Sequence, residues 1–167
     1  MPAPLPEAEA LLAALAQQLR GAVSPETGIV GVYTGGVWVA QRLHRALGLA
    51  TPMGQLAITL HRDDFGRIGL HHEQRRSQLP FSVDGRDILL VDDVLHTGRT
   101  IRAALNELWD FGRPRSVRLA VLADRGGREL PIAADFTGAV VAVGADESLV
   151  LTEEGGQLRL AAVRATP

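Results

Sequence analysis

Residues 88–100 read Ile-Leu-Leu-Val-Asp-Asp-Val-Leu-His-Thr-Gly-Arg-Thr, and this segment decides the fold. Its four apolar residues predict a buried strand, and two carboxylates follow where we expect that strand to end. A turn with hydroxyls and a glycine then leads into a helix. In parallel α/β sheets, ligands bind beyond the carboxyl ends of the strands, and a helix N-terminus there offers unpaired N–H groups to a phosphate. The segment therefore predicts a phosphate-binding turn at the edge of a parallel sheet.

The two acids, Asp92 and Asp93, indicate what carries the phosphate. A phosphate alone gains nothing from nearby carboxylates, whereas the hydroxyls of a ribose donate hydrogen bonds to them. A ribose 5-phosphate accounts for both halves of the motif, because Gly98 lets the backbone close around the anion and Thr97 and Thr100 add hydroxyls. The alternative is an apolar strand with exposed acids and a threonine cap, and adjacent aspartates also follow strands in response-regulator-like folds. The complete string favours the sugar phosphate.

Short apolar runs alternate with amphipathic segments along the rest of the chain, which predicts an α/β fold with a mostly parallel central sheet covered by helices. At 167 residues we expect a single domain, 1–167. The predicted helices are Glu7–Arg20, Val37–Leu47 and Thr97–Phe111. The predicted strands are Gly28–Tyr33, Gln55–Leu60, Asp87–Val91, Ser116–Leu122, Phe136–Val143, Ser148–Thr152 and Gln157–Val163.

The stretch His61–Pro80 is polar, rich in arginine and without periodicity. Long irregular connections often carry function, so we interpret this one as a mobile active-site loop, with a merely solvated loop as the open alternative. His71, His72 and Glu73 within it suggest metal ligands, but no second cluster at ligand spacing accompanies them. We therefore expect no direct metal cluster.

The composition excludes several kinds of chemistry. The chain has no lysine, which rules out a Walker-A loop, a Schiff-base enzyme and a lysine general base. It has no cysteine, so disulfides and zinc-thiolate sites are absent, as suits a cytoplasmic protein. No apolar run is long enough to cross a bilayer, and the acidic start is not a signal peptide, so we expect no membrane partner.

The segment 88–100 resembles the phosphoribosyl-pyrophosphate signature of type I phosphoribosyltransferases. Its variant Val-Leu-His-Thr-Gly-Arg-Thr, followed at 119–132 by Leu-Ala-Val-Leu-Ala-Asp-Arg-Gly-Gly-Arg-Glu-Leu-Pro-Ile, resembles the PyrR family. The resemblance covers about Gly28 to Leu151 and is strongest over Asp87–Asp135. PyrR proteins are uracil phosphoribosyltransferases that in some bacteria also regulate pyrimidine-operon expression by binding messenger RNA.

The resemblance implies a type I phosphoribosyltransferase fold, with a mostly parallel sheet flanked by helices, a flexible active-site loop and a small hood region. It implies transfer of the sugar phosphate from 5-phosphoribosyl-1-pyrophosphate (PRPP) to uracil, giving UMP and diphosphate. Mg²⁺ would enter with PRPP and lie near Asp92 and Asp93. The family further implies a homodimer or homotetramer.

Site residues follow from the same resemblance, position by position. Arg62, at the start of the flexible loop, would bind pyrophosphate and take part in catalysis with Asp92, Asp93 and His96. The residues implied for the ribose and its 5-phosphate are Asp92, Asp93, His96, Thr97, Gly98, Arg99 and Thr100. The pyrophosphate loop would be Tyr33, Thr34, Gly35 and Gly36. The uracil pocket, reading the base largely through its backbone, would be Val121, Leu122, Ala123, Asp124 and Arg125.

His96 has two interpretations. It could assist proton removal from uracil, because imidazole exchanges protons near neutral pH. It could instead only shape the phosphate turn, which is the interpretation that we favour.

The sequence departs from the family at two places. The pyrophosphate loop of many PyrR proteins reads Thr-Arg-Gly, whereas residues 34–36 here are Thr-Gly-Gly. Pyrophosphate binding is expected to weaken unless Arg62 or an arginine of the 67–76 stretch substitutes. The second departure concerns the RNA-binding face. The first helix has Arg20 as its only basic residue. Gly127 stands where a histidine is usual, although Arg128 is kept. RNA affinity depends on neutralising phosphates, so we expect weak RNA binding.

Two other functions stay open at this point. A nucleotide-sensing regulator with little catalytic activity would use the same pocket as the enzyme. A transferase for another base, such as orotate or a purine, is disfavoured by the Asp124–Ile132 segment.

Overall fold

The computed structural model describes residues 3–58 and 75–166, in which helices alternate with strands. The helices are α1 (Ala8–Leu19), α2 (Gly35–Leu47) and α3 (Arg99–Trp109). The strands are β1 (Gly28–Val32), β2 (Gly54–Leu56), β3 (Asp87–Leu95), β4 (Ser116–Asp124), β5 (Phe136–Val140), β6 (Glu147–Glu154) and β7 (Gln157–Arg164).

The first five strands form one parallel sheet in the order β2-β1-β3-β4-β5. The chain runs from β1 outward to β2 and then returns to place β3 on the other side of β1. The strand order therefore reverses between β1 and β3. In open α/β sheets, such a switch point is where ligands bind, at the carboxyl ends of the strands. The predicted mostly parallel sheet with flanking helices is confirmed.

Alternation along β3 separates two apolar layers. Leu89 and Val91 are buried in the layer that contains α1 and α2. Ile88 and Leu90 point the other way and pack with the buried residues of α3. Successive side chains of a strand face opposite sides of its sheet, and each fully buried aliphatic side chain contributes about 1.5–3 kcal/mol. The sheet is therefore a rigid platform for the residues at its carboxyl edge.

The last two strands, β6 and β7, form a separate antiparallel pair. Leu151 and Leu158 bury their side chains in the layer that contains α1. The backbone N–H of Leu158 also donates to Glu9 Oε1 over 2.9 Å. The last two strands thus form a hairpin that is bound to the first helix.

Strand β3 is longer than its apolar run suggested. It continues to Leu95, because Val94 pairs with Ala123 and Leu95 pairs with Asp124 of β4. The two acids consequently lie inside the strand instead of after its end, which corrects the boundary expected from the sequence. Residues 59–74 fall outside the described ranges, and they include the first part of the predicted loop His61–Pro80 and the triplet His71-His72-Glu73.

The two tryptophans differ in their surroundings. Trp38 of α2 is half-buried and packs against the apolar layer that contains α1 and α2. Trp109, at the end of α3, is 50% exposed and lies outside the core. In the described ranges no helix combines the length and the apolar character that crossing a bilayer requires.

Candidate active site

Two loops meet at the switch point of the sheet. The first follows β1 and opens α2 at Gly35; the second follows β3 and opens α3 at Arg99. Strands β1 and β3 are hydrogen-bonded neighbours, with Gly31 paired to Val91, so both helix N-termini lie at one edge of the sheet. The first N–H groups of a helix lack intrahelical partners and carry a favourable dipole for anions. The edge therefore offers two anion-binding helix ends side by side.

The paired acids lie directly against the glycines of the first loop. A Cβ atom added to Gly35 would lie 2.1 Å from Asp93 Oδ2, and one added to Gly36 would lie 2.6 Å from the carbonyl oxygen of Val91 and 3.1 Å from Asp92 Oδ1. These distances are too short for any side chain. Glycine at both positions is what lets the start of α2 approach the acids this closely.

The two carboxylates differ in environment. Asp92 is 2% exposed, and its Oδ1 accepts the backbone N–H of Asp93 over 2.9 Å. Asp93 is half-buried, and its Oδ1 accepts the N–H of Val94 over 2.8 Å. Because the acids are consecutive in a strand, they point to opposite faces of the sheet. Asp93 faces the start of α2, and it is the acid more accessible to a ligand.

The second loop is a tight turn built on Gly98. This residue has φ of +94°, a conformation that glycine adopts without strain. The hydroxyl of Thr97 accepts the N–H of Arg99 over 3.2 Å, and the carbonyl of Thr97 accepts the N–H groups of Glu129 and Leu130. Arg99 forms an exposed ion pair with Glu129 at 2.5 Å. These bonds join the turn to the segment that follows β4.

His96 is held by that same segment. Its Nδ1 lies 2.8 Å from the carbonyl oxygen of Gly126, so Nδ1 carries the proton and donates, because a carbonyl can only accept. Nε2 is then the nitrogen that can accept a proton. A Cβ atom on Gly127 would lie 2.7 Å from His96 Cε1, so the ring occupies the space that a side chain at 127 would need. These contacts agree with a role in shaping the turn.

Arg128 connects the end of β4 to the phosphate turn. Its Nη1 donates to the carbonyl of His96 and to Asp124 Oδ1, both at 2.9 Å, and its Nη2 donates to Asp124 Oδ2 at 2.5 Å. Nε donates to the carbonyl of Ile132 over 2.8 Å. Hydrogen bonds from Arg128 hold the pKa of Asp124 below its usual range, and the N–H of Gly126 adds to this, against an opposing effect of burial.

The residues expected around the base lie in two different environments. Val121, Leu122 and Ala123 are fully buried in the core, so their side chains support the sheet. Asp124 and Arg125 are half-buried at the end of β4, where the chain leaves the sheet. Arg125 Nε is buried and, within ranges 3–58 and 75–166, has no hydrogen-bond partner. Only the last part of the expected segment reaches the edge where a ligand would bind.

The first loop is also contacted by a cation, Arg75, which sequence reasoning did not single out. Arg75 Nη1 lies 2.5 Å from Thr34 Oγ1, and the guanidinium lies 4.9 Å from the centre of the Tyr33 ring. The hydroxyl of Tyr33 donates to Gln55 of β2, and the Tyr33–Thr34 peptide bond is cis. The departure at Gly35 was the available signal, since it called for an arginine from the 67–76 stretch.

Two further expectations concern Arg62 and metal binding. Arg62 lies outside the described residues. In the part of the chain that the structure describes, no group of three or more His, Cys, Asp or Glu side chains is arranged to hold a metal ion. The adjacent pair Asp92 and Asp93 suits a different arrangement, because Mg²⁺ commonly binds through one or two carboxylates together with substrate phosphates.

Comparison with known proteins places this geometry in a class. Residues 3–148 match the family model described as "Phosphoribosyl transferase domain". Among solved structures, a hypoxanthine-guanine phosphoribosyltransferase from Bacillus anthracis superposes with a TM-score of 0.64 at 15% identity, covering 84% of this chain and 85% of the other. The enzyme of Leishmania tarentolae in complex with GMP superposes with a TM-score of 0.62 at 18% identity, covering 86% of this chain and 84% of the other. The fold and the acids at its switch point define a type I phosphoribosyltransferase.

More similar sequences narrow the assignment. "Bifunctional protein PyrR" of Ralstonia nicotianae is 53% identical over 153 residues, which cover 89% of this chain and 87% of the relative. The protein of the same name from Pseudomonas paraeruginosa is 51% identical over 152 residues, with coverage of 88% and 89%. The chain belongs to the PyrR family.

Proposed function

We propose that this protein is a uracil phosphoribosyltransferase that converts uracil and PRPP to UMP and diphosphate. One observation carries the proposal: Asp93 lies against Gly35 at the start of α2, on the strand β3 that leads into the turn opening α3. A ligand with hydroxyls in the middle and a phosphate group at each end matches this order of acids between two helix N-termini. PRPP has that layout.

The reaction assigns a task to each part of the edge. The bond from ribose C1 to the diphosphate oxygen breaks, and its electron pair leaves with diphosphate. As the attacking nitrogen of uracil bonds to C1, its proton is released to water. The N–H groups at the start of α2 stabilise the growing negative charge of the leaving group, while the turn at Gly98 holds the 5-phosphate. Asp93 accepts hydrogen bonds from the ribose hydroxyls and fixes the sugar between them.

The carboxylates of Asp92 and Asp93 also fit a divalent cation that enters with the substrate. Mg²⁺ would neutralise part of the diphosphate charge and hold it in position. The two adjacent carboxylates, in place of a closed cluster of ligands, suit an ion that is bound mainly through phosphate oxygens.

Uracil as the acceptor rests on the segment Asp124–Ile132, where the resemblance to PyrR is strong, and on relatives that carry this name. The word bifunctional in their name agrees with a second role in regulation of pyrimidine genes. A nucleotide-sensing regulator with little turnover is the second candidate function. A cytoplasmic location and a homodimer or homotetramer are further parts of the proposal.

A turnover assay with uracil, PRPP and Mg²⁺ tests the proposal, with Asp93→Asn as the diagnostic variant. We expect UMP formation by the wild-type protein and a loss of about a hundredfold or more in the variant, with its fold retained. Asp110→Asn, an exposed change at the end of α3, is the matched control and should keep full activity. No UMP above background from the wild-type protein would favour the sensor, and full activity of Asp93→Asn would contradict the role in ribose binding.

A further inference from the structure

The pyrophosphate loop has no cation of its own. Residues 33–36 are Tyr-Thr-Gly-Gly, and among the described residues the charge that lies against Gly35 is the carboxylate of Asp93. Diphosphate carries several negative charges, and the loop itself offers it only backbone N–H groups and the Thr34 hydroxyl, beside this carboxylate. A positive side chain reaching the loop from elsewhere in the fold would offset that repulsion.

Arg75 reaches the loop from outside it. One hydrogen bond of 2.5 Å joins its Nη1 to the hydroxyl of Thr34, and the flat face of the guanidinium lies 4.9 Å from the ring centre of Tyr33. The Tyr33 ring is itself fixed by the hydrogen bond from its hydroxyl to Gln55. A guanidinium has five N–H donors in a rigid fork. Within residues 3–58 and 75–166, Thr34 is the only hydrogen-bond partner of this guanidinium, so most of the fork is available to a ligand there.

The guanidinium borders an open cleft of about 410 Å³. This volume lies in the range of about 300–1,000 Å³ that is typical of small-ligand sites. The cleft is lined by Tyr33, Thr34, Val37, Trp38, Gln41, Gln55, Arg75 and Glu153. Glu153 is paired with Arg42 at 2.9 Å, so its charge is offset and does not compete for Arg75. The cleft therefore presents the arginine fork beside the start of α2.

We infer that Arg75 is a pyrophosphate-binding residue, which supplies to the diphosphate of PRPP the charge that residues 33–36 lack. The inference rests on the proposed function and adds to it the identity of the cation. Arg75 binds the diphosphate group in the substrate and holds it after the bond to ribose C1 has broken. The hydrogen bond to Thr34 fixes the fork while the ligand is absent.

The test is a comparison of Arg75→Ala, Arg75→Lys and Arg76→Ala. Arg76 is the matched control, because it is the exposed neighbour with the same charge. In Arg75→Ala we expect the KM for PRPP and the inhibition constant of inorganic diphosphate to rise about tenfold to a hundredfold. The KM for uracil and the affinity for UMP, which lacks diphosphate, should change by less than about threefold. Arg75→Lys should recover part of the loss, since it restores the charge without the fork.

The outcomes separate this inference from the proposed function. Diphosphate binding can be measured by calorimetry on the wild-type protein and Arg75→Ala, even if no UMP is formed. Absence of turnover with diphosphate affinity that depends on Arg75 would reject the enzyme and keep the binding site. Normal turnover with equal diphosphate affinity in the two proteins would reject Arg75 and keep the enzyme. The role of Arg75 would also be rejected if Arg75→Ala lost UMP affinity and diphosphate affinity equally. The same conclusion would follow if Arg76→Ala had the same effect as Arg75→Ala.

Discussion

In the candidate site, Gly35 and the side chain of Asp93 leave no room for an additional side chain between them. No side chain fits at position 35 in this arrangement, because a Cβ atom would lie 2.1 Å from Asp93 Oδ2. Glycine at 35 and the observed position of Asp93 thus depend on each other.

A methyl group at position 35 should displace the acid that we assign to the ribose. For Gly35→Ala we expect kcat/KM for PRPP to fall by about tenfold or more, because a misplaced catalytic group costs that much even after small movements. Steady-state kinetics measure the effect, and circular dichroism shows whether the fold is kept. Gly144→Ala is the control, since its added methyl would meet only the flexible side chains of Asp146 and Glu147. Unchanged kinetics in Gly35→Ala would contradict the packing argument.

The ion pair of Asp124 with Arg128 predicts a pH dependence of stability. Hydrogen bonds from Arg128 lower the pKa of Asp124 in the folded protein, so the carboxylate stabilises the fold at every pH above the ordinary aspartate value of about 4. This contribution, about 1 kcal/mol for a partly exposed pair, is lost as the pH falls toward the lowered folded pKa. The unfolding free energies of the wild-type and Asp124→Asn proteins in urea should therefore differ at pH 7, and the difference should shrink as the pH falls below about 4. A constant difference over that range would show that the charge is not responsible.

At the scale of single elements, the start of α3 depends on one backbone conformation. Gly98 has φ of +94°, and a Cβ atom there would lie 3.0 Å from Ile132 Cγ1. The turn is therefore closed on one side by the backbone and on the other by the segment after β4. Both restraints keep the first N–H groups of the helix directed at the same point.

Gly98→Ala should disturb this turn. We expect a loss of about 1–2 kcal/mol in the free energy of unfolding, because a residue other than glycine is strained at this φ. We also expect at least about tenfold weaker UMP binding, because the 5-phosphate uses the N–H groups of the turn. Calorimetric titration with UMP and urea unfolding measure the two effects. UMP affinity equal to that of the wild type would place the phosphate elsewhere.

Elements with a strong local sequence pattern could be predicted, whereas features that depend on pairing or contact with distant parts of the chain could not. The apolar alternation and the glycine turns gave α2, β1 and α3 to within a few residues. The extension of β3 to Leu95 depends on pairing with β4, which no local pattern encodes. The contact of Arg75 with Thr34 joins residues 41 apart in sequence, so the departure at Gly35 indicated only a stretch of candidates. The burial of Val121–Ala123 likewise depends on strands on both sides.

At the scale of the whole molecule, the charge distribution bears on regulation. The net charge is −2, and α1 has no basic residue in its last turn. Arg128 is retained, yet four of its hydrogen bonds go to Asp124, His96 and Ile132 within the chain. An arginine committed in this way is poorly available to a phosphate backbone.

The assignment of residues 1–167 to one domain stays a prediction.

We therefore expect weak binding of RNA. A gel-shift experiment at low salt, with the leader of its own pyrimidine genes and a scrambled RNA of equal length, should give only salt-sensitive and unselective complexes. Complexes that are tight and selective for the leader would overturn this expectation. Such a result would mean that a basic face forms in the assembled oligomer.

The position of Trp38 in the cleft has a practical consequence. The chain has two tryptophans, and the other, Trp109, lies half exposed at the end of α3. Replacing Trp109 with phenylalanine leaves a single indole, beside Thr34 and Arg75. When diphosphate binds beside Arg75, as inferred above, we expect the emission of this indole to change, so that stopped-flow fluorescence can follow the leaving group directly.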